Sequence, residues 1–576
     1  MSNRVWVCDD EPSTRFPLYT RGNVSEVFVE AVSPLTWSAY GPHSWDPGWR
    51  DALYRMGVFT PEEFRPEGEC EVTGCYGGYI YLNVSLQRTL AVRMPGMTPE
   101  AIDHAFFGDH PDVPAYRPDP RDENPDCAQA AAEWLTSLFT TTELPELAED
   151  TARLDDLVAG RPRLAELTDR ELVARFRDLR AENRYFFSKH IYLTNCSNVV
   201  AAVIAQIAAA VHAPELAAKV TTTLDNPSAQ QSFDMWELSR LVAHSEELSA
   251  AFDAGVDGLL DRLRASGSVA AKYFVGEWDA FLERWGFLGP SVWEFRSPTY
   301  ATDPLIPLRM LDRARRAPDD AAPRDKTAAL RAERDAAVAE ISQRLASSPE
   351  VQGQFLGAAG GAGVFLPGRE RTKLNCTRMT EEVRANVREL GSRLVDRGVL
   401  SRWEQVLLLL DHELDEFLAA PEQFGDLIAD RQSRLELLMS KVPPFVFEGE
   451  ALPLEAFGDR AGVPQPPVTS GDVLTGLPVS QGVYSGPARV IESLDDDSDL
   501  EPGEIIVAVT TDSSWGPLFL AAGAVVCQVG AAISHAAIVA RELGIPAVVS
   551  VPDCVDRIKD GTVLTVDGST GTVTVG

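Results

Sequence analysis

The most chemically suggestive stretch of the chain is Gly530-Ala531-Ala532-Ile533-Ser534-His535-Ala536-Ala537-Ile538-Val539-Ala540-Arg541-Glu542-Leu543-Gly544-Ile545-Pro546. A β-type run at 524–529 ends in small residues, and a helix is predicted to begin near Ser534, whose hydroxyl suits an N-cap. His535 then falls in the first turn, where free backbone N–H groups and the positive end of the helix dipole gather. An imidazole placed there can carry a group that brings negative charge, such as a phosphoryl group. Ala536 and Ala537 leave room for a second large group to approach. Gly544 and Pro546 stop the helix and return the chain to a strand. A histidine at a helix start is more often a cap or a surface residue, so position alone does not make His535 catalytic.

The elements that must hold this histidine are readable around it. Short apolar runs at 484–491, 504–509, 524–529, 547–551 and 562–566 bracket the one helix and make residues 473–576 a small domain of strands and helix. Before it, residues 441–472 hold six prolines and several glycines, the composition of a semi-stiff linker. Residues 127–440 read as helical. Thr168-Asp169-Arg170-Glu171 is a capping box. Leu172, Phe176 and Leu179 follow at i, i+4 and i+7, and the same period continues through Phe186, Phe187 and His190. Further helices are expected near 232–265, 270–285, 325–347, 369–397 and 402–418, with GAAGGAGV at 357–364 as a loop or tight turn. Residues 1–126, rich in Pro, Gly and aromatic residues, read as a mixed α/β portion with strands and irregular loops rather than long helices.

Composition limits the classes of function. The chain has 576 residues, 45% of them apolar and 24% charged, which excludes wholesale disorder and suggests roughly three or four domains. Against 86 acidic residues there are 52 basic ones, a net charge of −34, so polyanion-binding and anionic membrane surfaces are excluded as functions. The stretch 492–504, with carboxylates and no base, reads as a solvated loop. The beginning MSNRVWVCDD lacks a secretory pattern, and the apolar run at 199–211 is too short to span a bilayer. Eight scattered cysteines form no CxxC or Cys/His spacing, so no metal site is expected. A cytoplasmic protein with reduced thiols fits best.

SHAAIVARELGIPAVV resembles the phosphohistidine signature of the mobile, swivelling domain of the PEP-utilising enzyme family, shared by PEP synthases, pyruvate phosphate dikinases and rifampin phosphotransferases. Leu474-x-Gly476-x3-Ser480-x-Gly482-x3-Gly486-x-Ala488-Arg489-Val490 resembles that domain's opening strand, and Thr511-Asp512-x2-Trp515-x-Pro517-Leu518 its "tdP-wtPL" loop. The resemblance implies a β/β/α swivelling domain with His535 as phospho-carrier, seconded by Ser534. Gln528-Val529-Gly530-Ala531 departs from the family's Glu-x-Gly-Gly, and Ser513 from its proline.

The helical part is similar, more weakly, to the substrate domain of rifampin phosphotransferase-like proteins. The similarity rests on Arg21-Gly22-Asn23-x2-Glu26-Val27-Phe28, Val32-Ser33-Pro34-Leu35-Thr36, Phe281-x3-Trp285-Gly286 through Glu294, Pro298 and Asp303-Pro304, and Arg369-Glu370-x2-Lys373. Leu288-Gly289 stands where Arg-Gly is usual. Arg369 and Lys373, one turn apart, would then hold the transferred phosphoryl group; their alternative is an ion-pair network with Glu370, Glu381 and Glu382. His190 is a candidate base for a substrate hydroxyl, or else a core histidine. Trp236, Trp278, Trp285, Trp293 and Tyr300 line an apolar pocket or belong to the core.

No Walker-type glycine loop and no "RSSA-ED" stretch of an ATP-grasp domain occurs in this sequence. The resemblance therefore implies a phosphotransferase component. A separate ATP-grasp, PEP-synthase-N-terminal-like partner would bind ATP and Mg²⁺ and charge His535. The acceptor would be a hydroxyl or enol of a small, partly apolar molecule. Two alternatives stay open: a lyase or isomerase such as a dehydratase, acting through a transiently phosphorylated substrate, and a non-catalytic binding subunit.

Overall fold

The computed structural model describes residues 5–107, 113–222, 227–319, 322–450, 453–460, 465–492, 500–511, 515–530 and 534–576, with the side chains at 104–106, 323–328 and 535 outside that description. The chain is mostly helical with sheets. It forms two compact units, each built from interleaved stretches. One takes residues 1–196, 293–296 and 372–463, and the other takes 197–292, 297–371 and 464–576. The acidic run expected to be a solvated loop lies mostly outside the described residues, at 493–499.

In the first unit, strands β1 (Leu18–Thr20), β2 (Thr73–Tyr76) and β3 (Tyr79–Asn83) are followed, far along the chain, by β4 (Lys441–Val442), β5 (Val446–Glu448) and β6 (Gly458–Asp459). β1, β2, β3 and β5 make a four-stranded sheet in the order β2-β3-β1-β5, and β4 pairs with β6. Gly77 and Gly78 both have positive φ, as a two-residue hairpin turn between right-twisted strands requires. β5 falls in the segment read as a linker. Its Phe447 stacks on Tyr19 at 5.2 Å and meets Tyr76 and Tyr81 edge-on, so aromatic burial draws a proline-flanked stretch into the sheet.

The beginning of the chain holds more helix than its composition suggests. Pro34–Tyr40 and Asp46–Arg55 are α-helices joined by a π-helical turn, Gly41–Trp45. Pro34 and Pro47 sit in the first turn of their helices, where a missing N–H costs nothing. The 402–418 stretch, expected as one helix, breaks into 3₁₀ turns Trp403–Leu408 and Asp411–Glu413 and a short helix Leu414–Ala419.

Asp9 and Asp10 fix the N-terminal segment to the hairpin. Asp9 accepts the backbone N–H groups of Trp6 and Gly78, and Asp10 Oδ2 accepts Cys75 N–H and Trp37 Nε1–H, both at 2.8 Å. Loss of solvation pushes their carboxyls up, to about 6 for Asp9 and about 7 for Asp10. Both values lie above the unfolded 3.8, so the native state holds the extra protons. Their contribution to stability is complete below about pH 4 and is lost as pH rises through 6 to 7. Urea midpoints should show Asp10→Asn flattening this fall, by up to roughly 1.4 kcal/mol per pH unit between pH 5 and 7; an unchanged slope would exclude Asp10 as its source.

The second unit holds helices Gln230–Ala243, Glu246–Asp253, Leu259–Ser266, Val269–Trp285, Leu305–Ala314 and Pro323–Arg344 and the first part of the helix Pro349–Asp396. That 48-residue helix runs straight through GAAGGAGV, where a loop is expected. Ala358, Ala359 and Ala362 are buried, Arg334 donates to the Ala359 carbonyl, and a Cβ on Gly363 would lie 3.2 Å from the Arg334 guanidinium. Burial of the alanines and the Arg334 contact offset the poor helix propensity of the stretch. Phe274, Trp278, Phe281 and Tyr300 stack in succession as core.

The second unit also carries β7 (Val473–Thr475), β8 (Leu477–Ser480), β9 (Val483–Ile491), β10 (Ile505–Ala508), β11 (Ala524–Cys527), β12 (Ala547–Val549), β13 (Val563–Asp567) and β14 (Thr572–Val575). They form one sheet in the order β7-β14-β13-β9-β10-β11-β12-β8. β9, β10, β11 and β12 are parallel neighbours, and the outer pairs are antiparallel. Every residue of β10, β11 and β12 is buried, which is why they read as unbroken apolar runs. All eight cysteines are buried thiols outside any disulfide. Among the described residues one helical stretch, Asp169–Ala210, is long and apolar enough to cross a membrane, a test that core helices also pass.

Candidate functional site

Parallel strands need a crossover, and β11 reaches β12 through the helix His535–Leu543. The loop after β11 therefore delivers the helix N-terminus to the carboxyl edge of the sheet, where open α/β folds place their ligands. Ser534 is the N-cap, with extended φ/ψ of −61° and 163°, and its Oγ accepts the Ala537 N–H at 3.4 Å. Gly544 closes the helix in the left-handed region, φ 62°. His535 is thus the first helical residue; its side chain lies outside the described residues. Ala536, Ala537, Val539 and Ala540 are all buried beneath it. Ser534→Ala should remove the cap and cost about 1 kcal/mol in a urea titration; no change would mean that another group satisfies the Ala537 N–H.

The loop after β10 runs beside the loop after β11: Gln528 N–H donates to Ala508 O at 2.9 Å and Val529 N–H to Val509 O at 2.8 Å. The segments that lead into the loop resembling "tdP-wtPL" and into the histidine loop are thereby neighbours. Thr511 Oγ1 and Gln528 Oε1 are buried without a hydrogen-bond partner among the described residues. Of the departures from the family pattern, Ala531 and Ser513 lie outside the described residues, in 531–533 and 512–514. Gly530 has no room for a side chain, since a Cβ would approach Val549 Cβ to 2.8 Å.

This edge is docked within its unit. Helix His535–Leu543 packs against Pro323–Arg344, and Gly516–Phe519 packs against Gln230–Ala243 and Leu305–Ala314. A Cβ on Gly516 would stand 2.8 Å from Ser232 Oγ. Gln481 Nε2 donates to Glu215 O at 2.6 Å, and Arg316 pairs with Glu501 at 3.3 Å. Nearby in sequence to Gln230–Ala243, Ser228 Oγ donates to Glu370 Oε2 at 2.8 Å, and Glu370 Oε1 lies 3.9 Å from Arg369 Nε.

Arg369 and Lys373 both lie in helix Pro349–Asp396, one turn apart. Arg369 and Glu370 are buried. Lys373 is half-buried and has no ion-pair partner among the described residues. Glu381 and Glu382 are instead engaged by Arg161, Arg175, Arg384 and Arg388. A groove of about 570 Å³ in the first unit is lined by Arg161, Arg163 and Arg388, but each of these pairs with a carboxylate. His190 Nδ1 is 3.3 Å from Thr372 Oγ1, the residue just before Lys373, so the structure does bring His190 to that turn.

Of the two readings of the aromatics, pocket or core, the structure gives core: all five are buried. Trp236 lies under Arg240 at 4.2 Å, Trp285 Nε1 donates to Asp234, and Trp278 and Tyr300 belong to the stacked core, all in the second unit; Trp293 belongs to the first. What the sequence leaves unconnected is the link between two of its own motifs. Buried Glu294 accepts from Ser33 N–H at 3.0 Å, Ser33 Oγ at 2.6 Å and Thr36 Oγ1 at 2.9 Å. No local spacing signals a pairing 261 residues apart. Arg21, from the opening motif, is structural: its guanidinium is spent on the carbonyls of Ile80, Phe28 and Val29. Among the described residues no group of three or more His, Cys, Asp or Glu could hold a metal ion.

Two family models match parts of the chain. Residues 190–360 match the family model for the rifampicin phosphotransferase fourth domain, and residues 500–571 match that for the PEP-utilising enzyme mobile domain. An uncharacterised protein of Mycobacterium tuberculosis is 32% identical over 292 residues, 50% of this chain and 30% of that protein. The rifampicin phosphotransferase of Streptomyces sviceus is 30% identical over 332 residues, 56% of this chain and 37% of that protein. That of Bacillus subtilis is 34% identical over 185 residues, 32% of this chain and 21% of that protein. The chain spans about a third or less of the length of these curated relatives. Residues 190–360 are thus similar to the rifampicin phosphotransferase fourth domain and residues 500–571 to the PEP-utilising enzyme mobile domain, two segments of one enzyme type in a single chain.

Proposed function

We propose that this chain is the acceptor component of a cytoplasmic phosphotransferase. A separate ATP-grasp protein, binding ATP and Mg²⁺, phosphorylates His535, and the mobile domain delivers the phosphoryl group to a hydroxyl or enol of a small, partly apolar substrate. In the transfer the P–N bond on His535 breaks and a P–O bond to the acceptor forms. His190 takes the hydroxyl proton, and the His535 nitrogen keeps the electron pair of the broken bond. Arg369 and Lys373 hold the phosphoryl oxygens.

One observation carries this reading. The helix that begins at His535 packs against Pro323–Arg344, within the region that matches the fourth domain of rifampicin phosphotransferase. A carrier and an acceptor domain docked on each other are the two halves of a transfer reaction. The test is incubation with β-phosphoryl-labelled ATP, Mg²⁺ and a candidate ATP-grasp protein. An acid-labile, base-stable label on His535 is expected, and it should be chased onto a small molecule as a phosphate ester. Absence of label with every ATP-grasp candidate would overturn the carrier role. Recovery of a dehydrated or rearranged product with free phosphate would replace the transferase by a lyase or isomerase.

A further inference from the structure

Within the first unit, two buried indoles are left without an acceptor. Trp45 closes the π-helical turn Gly41–Trp45, and Trp293 sits on an irregular segment; they are 2% and 4% exposed, with ring centroids 6.3 Å apart. Neither Nε1–H has a hydrogen-bond partner among the described residues. A buried N–H left unpaired costs about 1–3 kcal/mol, so a site retaining two at close range calls for an acceptor. Single-turn π-helical segments occur often at functional sites, where they turn a side chain inward.

The surroundings supply a third donor. Trp293 packs on Phe187 at 5.6 Å, and Ser44, beside Trp45, donates to Asn183, one helical turn before Phe187. Helices Arg180–Ala210 and Pro349–Asp396 run antiparallel here: His190 meets Thr372, while Arg175, just before the first of them, meets Glu382 and Asn386. Asn375 follows Thr372 on its helix as Phe187 precedes His190 on the other. Asn375 is 3% exposed, and its Nδ2 also lacks a partner among the described residues.

The geometry points to a substrate subsite at Trp45, Phe187, Trp293 and Asn375 that takes a flat apolar ring carrying a hydrogen-bond-accepting oxygen, such as an aryl carbonyl. Aromatic faces hold the ring, and two indole N–H groups and the Asn375 amide donate to the oxygen. Three donors with no acceptor among them select against plain hydrocarbons, which leave the donors unpaired, and against ligands that can only donate. His190, one turn from Phe187, stands beside the bound ring. The assignment deepens the function proposed above by naming the substrate class, and binding requires neither ATP nor phosphorylation.

The full-length chain, labelled with ¹⁵N at the tryptophan indoles, is titrated with α-tetralone and with tetralin, the same ring system without the carbonyl. α-Tetralone should move the Trp45 and Trp293 indole signals and leave Trp278, an unpartnered indole in the core of the other unit, unmoved. Tetralin should bind about 5- to 10-fold more weakly and shift neither N–H downfield. Trp293→Phe and Asn375→Leu should each erase most of that preference while keeping the far-UV spectrum. Equal binding of the two ligands, or a preference unchanged in both variants, overturns the subsite. His535→Ala should bind α-tetralone like wild type, so loss of transfer with binding retained counts against the carrier and not against the subsite.

Discussion

His535→Ala should reduce phosphoryl incorporation to background, at least ~10³-fold below wild type, and leave the fold intact. The loss is large because a covalent carrier has no substitute: without the nucleophilic nitrogen there is no intermediate to pass on. The fold should survive because the helix does not depend on this side chain. Its cap is Ser534, its C-terminus is closed by Gly544, and its buried face is Ala536, Ala537, Val539 and Ala540. Alanine is also the best helix former for the first turn. The measurement is label retained on the denatured protein, with a matched urea midpoint as the folding control. A variant that still turns over with partner and substrate present would remove His535 from the mechanism.

Asp46→Ala should be the most damaging single change to stability, about 3–5 kcal/mol by chemical denaturation. Asp46 is 1% exposed and opens the helix Asp46–Arg55. Its Oδ1 accepts the backbone N–H groups of Glu71, Val72 and Thr73 at 2.9, 2.7 and 3.1 Å, and its Oδ2 binds Arg50 Nε at 2.7 Å. Burial raises its pKa, and Arg50 and the three N–H groups oppose that rise. Truncation would strand the buried Arg50 and three N–H groups together. Because the turn of Trp45 immediately precedes this residue, the same variant should weaken α-tetralone binding wherever it still folds. A loss below about 1 kcal/mol would mean that water reaches these groups in the variant.

Features held by neighbours in sequence were legible in it. The capping box at Thr168 forms as its spacing requires, with Glu171 bonded back to the Thr168 N–H at 2.7 Å. The apolar runs around the histidine became parallel strands, because burial on both faces leaves no alternation to misread. GAAGGAGV was misread because helix propensity is a weak local term, and burial of its alanines with the Arg334 contact at Ala359 outweighs it. Val446–Glu448 was misread because nothing in a proline-rich segment announces that an aromatic cluster 365 or more residues away will take up Phe447.

By itself, then, the sequence determined the capped helix that starts at His535, the apolar strands that carry it, and the strongly acidic net charge of −34. These depend on contacts within a few residues or on a simple sum. Only the tertiary structure decided that Glu294 ties Ser33 and Thr36 together, that His190 stands at Thr372, and that Trp45 and Trp293 share one buried place with no acceptor between them. Those facts depend on which distant residues come together and which polar atoms are left unpaired, and chain order does not record either.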